Sequence, residues 1–197
     1  MSIPLPNLNH AALLSMDLHS SIVSIYPQDN PAYITRVAVV LHAARHRKLP
    51  ILHVQVGFRP GLPEISDRNV LFASIKSNPQ WQQFFLGPGG VLHPSAAPIA
   101  DEVVITKHRG SAFTGTDLDM ILRANDIDTL ILLGIATSGV VLATFLHAAD
   151  ADYRIIVVGD CCADRDRGLH NALIDRYFPK MGTVIDSAAL CEALAAR

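Results

Sequence analysis

Thr129-Leu-Ile-Leu-Leu-Gly134, running on into Ile135-Ala-Thr-Ser-Gly-Val-Val-Leu-Ala-Thr144, is the stretch on which the fold turns. Its first six residues are too short and too uniformly apolar for an amphipathic helix and read as a strand buried on both faces. Gly134 and Gly139 mark a turn, and Ser138 is placed to cap a helix running to Asp150. Buried strand, turn and helix make half of a βαβ unit, so the pattern should repeat on either side. Downstream, Arg154-Ile-Ile-Val-Val-Gly159 reads as a strand, Asp166–Tyr177 as a helix and Gly182-Thr-Val-Ile185 as a last short strand. Upstream, Ala11–Met16 is an apolar run ending at Asp17, and Ile51–Val56 is a second one. Between them Ile34, Val37, Val40, Leu41 and Ala44 recur at helical spacing, with Asn30 as cap and Pro31 at the first helical position. Val103–Thr106 leads as a third strand into Lys107, and Asp117–Ala124 follows as a helix. Alternating strands and helices predict a parallel sheet covered by helices on both faces. The segment from Phe58 to about Pro98 is rich in Pro, Gly, Asn and Ser, with weak periodicity, and reads as a long loop that is functional or partly helical.

Composition bounds the partners. The chain has 197 residues, half of them apolar and 17% charged, enough for one substantial core and too apolar for disorder. A formal charge of −2 leaves no excess of cations to neutralise phosphates, so nucleic acid is not expected as a partner. No apolar run approaches the roughly 20 residues of a membrane span, and MSIPLPNLNH has no cationic start before an apolar run. A single domain over 1–197, in the cytoplasm, is the expectation. Cys161, Cys162 and Cys191 suit neither a disulfide framework nor a zinc site.

In an open α/β sheet the ligand crevice lies at the carboxyl ends of the strands, where strand order reverses. Three polar features belong there: Asp17 after the first strand, Lys107 after the third, and the turn Gly134–Val140 after the fourth.

Asp17, Lys107-His-Arg with Ser111-Ala-Phe and Gly115-Thr-Asp-Leu118, the Gly134–Thr144 turn, and Asp150-Ala-Asp-Tyr153 together resemble the isochorismatase-like hydrolases, also called cysteine hydrolases. The resemblance spans nearly the whole chain. It implies a three-layer α/β/α fold around a parallel sheet of about six strands, assembled as a homo-oligomer, a dimer or tetramer. It also implies a non-proline cis peptide at Ile135–Ala136 and an oxyanion hole from the amides of Ala136 and Val140. In most of that family a cysteine opening the helix after the fourth strand attacks an amide carbonyl, helped by the Asp and the Lys, because a nearby cation and a base favour the thiolate. Here that position is Val140, which cannot attack anything. A branch of the family that cleaves a vinyl ether also lacks the cysteine and uses the Asp as a general acid. That branch has glycine at the position, with His and Gly neighbours, whereas Thr137-Ser138-Gly139 is closer to the amidases.

The expected site is therefore Asp17 as general acid or base, with Lys107 and the turn amides placing a small substrate and water. His19, Arg59, Phe113 and Thr137 are candidates to bind the substrate, Arg59 through a carboxylate; Trp81 is a further aromatic that could cover it. The Asp-x-His metal arrangement of related nicotinamidases is missing, His53 lies within a strand, and no other His has a partner at ligand spacing, so neither metal nor cofactor is expected. Two other readings stay open: an inactive family member that binds a small ligand or serves as an oligomeric partner, and an amidase whose nucleophile has moved to Cys161 or Cys162.

Overall fold

The computed structural model describes residues 8–26, 30–86 and 91–196. Six parallel strands form one sheet: β1 (Ala11–Met16), β2 (Ile51–Val56), β3 (Val103–Lys107), β4 (Thr129–Ile135), β5 (Arg154–Ala163) and β6 (Thr183–Ile185). Their order is β3-β2-β1-β4-β5-β6, so the reversal falls between β1 and β4. Both strands are buried along their whole length, as their uninterrupted apolar runs require.

Strand residues alternate between two cores. Ala11 and Leu13 of β1 and Ile131 and Leu133 of β4 pack with Val37, Leu41 and Ala44 of α2 (Asn30–His46) and with Leu190 and Leu194 of α8 (Ser187–Ala195). Ala12, Leu14, Leu130 and Leu132 pack on the opposite face, against α5 (Leu118–Ala124) and α6 (Leu142–Asp150). The result is the expected three-layer α/β/α sandwich.

Several local expectations are corrected. The α2 helix already includes Asn30, expected as its cap, so Pro31 is its second residue, and the side chain of Asn30 lies outside the described residues. Ser138 is not a cap. The helix after β4 opens as a π-helical turn over Thr137–Val141, and the Ser138 amide and hydroxyl both donate to Asp164 instead. Strand β5 continues through Cys161 and Cys162 rather than ending before them, because an irregularity opposite Leu132–Gly134 lets it re-pair with Gly134 and Ile135. Likewise α7 (Arg167–Ala172), capped by Asp166, gives way to a π-helical turn over Leu173–Tyr177.

The 58–98 excursion contains α3 (Val70–Lys76) and α4 (Pro79–Phe85), besides α1 (Ser20–Val23) earlier in the chain. Asn69 and Asn78 cap α3 and α4 by accepting from backbone amides two or three residues on. The excursion has a satellite core of its own, in which Phe58 meets Phe72 and Phe85 edge-on. Gly87-Pro-Gly-Gly90, whose sequence lacks the strand–turn–helix context of a phosphate-binding loop, lies outside the described residues.

The far end of the excursion is strapped to the sheet by Glu102. Its carboxylate takes two hydrogen bonds from Arg45 at 2.8 Å, one from the Ile99 amide at 2.9 Å, and pairs with the buried ring of His53 at 2.9 Å. His53 is thus a partnered sheet histidine. Burial alone would raise the Glu102 carboxyl, but these donors outweigh it and hold it at about 2. A depressed carboxyl stabilises the fold above its ordinary value of 4.5, and that stability is lost as pH falls toward 2. Glu102→Gln is expected to cost about 1–3 kcal/mol at neutral pH. It should also flatten the acid limb of the stability curve, measured by urea unfolding between pH 7 and pH 3.

Candidate active site

Asp17 ends β1 in a left-handed conformation, φ +53°, which Asp tolerates better than most residues, and its amide donates to Val54 O at 2.8 Å. Its carboxylate Oδ2 meets Lys107 Nζ at 2.9 Å. Lys107 stands at the end of β3, with β2 between it and β1, so its long side chain crosses the end of the intervening strand to reach Asp17. Both are buried, with side chains 8% and 3% exposed. Lys107 also donates to Arg109 O at 3.1 Å, which leaves the ammonium with two acceptors. The second carboxylate oxygen, Asp17 Oδ1, is buried and has no hydrogen-bond partner among the described residues.

Beside this pair runs the turn after β4. The Ile135–Ala136 peptide is cis, as the family resemblance implied. Gly134 packs closely on β1, where a Cβ would collide with Met16 O. The Ala136 carbonyl accepts from the Gly139 and Val141 amides, at 3.1 and 3.2 Å, which folds the turn back on itself. Val140 is only 4% exposed and packs in the same core as Met16 and Cys162. Thr137 is fully buried and hydrogen-bonded to His170 Nδ1 at 2.8 Å. Asp164 holds the Ser138 amide and hydroxyl at 2.8 and 2.7 Å. Two side chains from beyond β5 therefore fix the turn, and sequence reasoning missed both.

Asp164 and His170 also line a cavity of about 320 Å³ with Tyr26, Cys162 and Arg167. Burial lowers the affinity of His170 for a proton, against the pull of Asp164 and Asp175. Burial likewise raises the Tyr26 phenol, helped by Asp164 and, more weakly, by Asp17. Tyr26 thus feels both the β1 carboxylate and the clamp on the turn.

The remaining candidates fall into three groups. His19, two residues past Asp17, is 1% exposed, and burial lowers its pKa despite Asp17. Arg59 forms an ion pair with Glu64 inside its own loop and lines a separate groove between the ends of β2 and β3 with His108. Phe113 stacks on His147 with ring centres 4.6 Å apart, and Trp81 stacks on Phe85.

Cys161 and Cys162 are both buried. Burial pushes Cys161 far above its ordinary value and Cys162 up to about 12. Cys191 is half-buried in α8. Among the described residues there is no cluster of three or more metal-ligating side chains, and no helix is long and apolar enough to cross a membrane.

Residues 11–189 match the isochorismatase domain family. Maleamate amidohydrolase of Pseudomonas putida is 30% identical over 88% of this chain and 82% of its own. The ureidoacrylate amidohydrolase RutB of Methylobacterium radiotolerans is 31% identical over 82% of this chain and 67% of its own. The solved structure of an isochorismatase family protein from Burkholderia thailandensis superimposes with a TM-score of 0.81, at 30% identity, over 99% of this chain and 100% of its own. Asp17, Lys107 and the β4 turn lie within the matched residues 11–189, and the chain belongs to the isochorismatase family of hydrolases.

Proposed function

We propose that the protein hydrolyses a C–N bond in a small amide or ureido metabolite without a cysteine nucleophile. The observation that carries this reading is the buried Asp17–Lys107 pair with Asp17 Oδ1 left unpartnered beside the β4 turn. Lys107 holds one carboxylate oxygen of Asp17, and the other oxygen is available to a water molecule. As that water attacks the carbonyl carbon, Asp17 Oδ1 takes its proton. The carbonyl oxygen gains negative charge opposite the Ala136 and Val140 amides, and collapse of the adduct returns the proton to the departing nitrogen. Val140 supplies an apolar wall where a thiol would otherwise stand. The amidohydrolase relatives favour a C–N bond over a vinyl ether, as does a carboxylate already paired with an ammonium.

Product formation on a panel of maleamate, ureidoacrylate, other ureido compounds, simple amides and isochorismate, followed by mass spectrometry, tests this directly. Pretreatment with iodoacetamide is expected to leave the rate unchanged. Loss of turnover coinciding with alkylation of Cys161 or Cys162 would establish a relocated nucleophile instead. Absence of turnover on every compound favours a binding protein.

Val140→Cys gives an independent check of the turn. Lys107 and the turn amides should favour the thiolate, so the introduced thiol should alkylate at least about tenfold faster at pH 7 than an ordinary exposed cysteine. Mass mapping after a timed iodoacetamide pulse measures this. An introduced thiol as inert as Cys162 would mean that the turn is not built to activate a group at this position.

A further inference from the structure

Strand β5 reaches the turn after a change of register. Leu132 of β4 pairs with Val157, 25 positions on, whereas Gly134 pairs with Cys162 and Ile135 with Ala163, 28 positions on. Had the first register continued, Cys161 would come next to Ala136; the shift of three residues makes Asp164 the next residue instead. Such a break gives up ladder hydrogen bonds, and breaks of this kind occur next to active sites, where they re-aim a side chain.

The side chain so placed is bound to the middle of the turn. Asp164 Oδ2 accepts from the Ser138 amide at 2.8 Å and from the Ser138 hydroxyl at 2.7 Å, while Oδ1 accepts from the Asp166 amide at 3.2 Å. Turning the carboxylate would break all three bonds. Ser138 lies two residues from Ala136 and two from Val140, and planar peptide units leave few soft angles between them, so holding Ser138 restrains the amides on either side. On the opposite flank β1 and β4 pair as far as Met16 and Gly134, which puts Asp17 and Ile135 next along the two strands. The turn thus runs past Asp17 on its β1 side and is gripped by Asp164 on its β5 side.

We propose that Asp164 is a positioning residue of the hydrolysis: by holding Ser138 it keeps the Ala136 and Val140 amides aimed at the carbonyl oxygen as that oxygen becomes negative. This rests on the reaction given above, in which those amides face the oxyanion. Asp164 moves no proton and acts only through Ser138. Fixed donors stabilise charge that is present in the transition state and not in the bound substrate, so loosening them lowers kcat and leaves KM nearly unchanged.

The test compares kcat and KM of wild type, Asp164→Ala, Asp164→Asn and Ser138→Ala, each rate divided by the folded fraction measured by near-UV circular dichroism on the same preparation. Asp164→Ala leaves both Ser138 donors without their acceptor and should lose about 10²-fold in kcat, with KM within about threefold of wild type. Ser138 uses a single carboxylate oxygen, and Asn retains one such acceptor while removing the same charge as Ala. Asp164→Asn should therefore keep kcat within about fivefold of wild type, which separates the hydrogen bonds from the charge. Ser138→Ala loses only the hydroxyl bond, a milder change to the fold, and should lose about tenfold in kcat. Wild-type kcat per folded molecule in Asp164→Ala and Ser138→Ala, losses that appear in KM alone, or Asp164→Asn as impaired as Asp164→Ala would each overturn the role of Asp164. Turnover surviving in Asp17→Asn would instead overturn the reaction on which that role rests. A readout that needs no substrate is the thiol introduced by Val140→Cys: adding Asp164→Ala should slow its alkylation by iodoacetamide at least about tenfold, and adding Asp164→Asn should not. Equal alkylation rates in all three proteins would also overturn the proposal.

Discussion

Asp17→Asn is expected to reduce turnover by about 10²–10⁴-fold, the usual contribution of a general acid–base group. The substitution also leaves the Lys107 ammonium, 3% exposed, with only the Arg109 carbonyl as a full acceptor. Breaking one side of a buried pair costs about 3–5 kcal/mol, so loss of activity in the single variant could reflect loss of fold. The double variant Asp17→Asn/Lys107→Met separates the two effects. It removes both buried charges, and such replacements are commonly neutral or stabilising, so unfolding free energy should return to near the wild-type value. Activity should not return with it. A double variant as active as wild type would remove Asp17 from the chemistry altogether. Urea unfolding beside the mass-spectrometric assay measures both quantities on the same preparations.

Gly134→Ala is expected to have a large effect on stability. The new Cβ would collide with Met16 O and stand 2.9 Å from Met16 C and Cβ, and two of these are backbone atoms that no side-chain rotation can move. The residue also has φ +141°, which L side chains rarely adopt. Overpacking a core costs about 1–3 kcal/mol where side chains yield. Here the strand itself must yield, and β1 and β4 are paired through this point, Met16 against Gly134. A loss of at least about 4 kcal/mol is expected, a large part of the 5–15 kcal/mol that holds a typical domain together. Differential scanning calorimetry against Gly139→Ala makes the comparison internal, because a Cβ at Gly139 would meet nothing closer than 3.6 Å. Similar melting temperatures for the two variants would mean that β1 and β4 do not approach as closely as described.

The fold was legible in the sequence where a single physical signal dominated. Strands such as Leu130–Leu133 are short apolar runs between polar turns, and burial on both faces leaves them no other reading. The irregularity in β5 was not legible, because a run such as Cys161-Cys-Ala after Gly159-Asp160 does not show that the strand resumes pairing with its face exchanged. In the excursion, Asn78-Pro79 is a readable helix start, but seven-residue helices offer too few turns for periodicity to identify them. At the site, Asp17, Lys107 and the turn could be placed at one sheet edge by topology and resemblance. Asp164 and His170 could not, since their partners Ser138 and Thr137 lie far away in the chain and neither belongs to a local motif. Two unpartnered nitrogens on His19 are likewise a property of three-dimensional surroundings, invisible in the spacing Asp17-x-His19.

The strand order has a kinetic consequence. Asp17 and Lys107 belong to the half of the sheet built by β1, β2 and β3, while the turn belongs to the half built by β4, β5 and β6, and within the sheet the two halves meet at the β1–β4 ladder. That ladder brings together residues 118 positions apart in the chain, Ala11 with Thr129 and Met16 with Gly134, the kind of distant parallel pairing that slows folding. An amino-terminal fragment leaving the ribosome can form the ion pair, yet it exposes one whole edge of β1 until β4 has been synthesised. Cooperative closure of that central seam is therefore the event after which the protein can act, and the same seam is where an incompletely made chain is most open to pairing with the wrong strand.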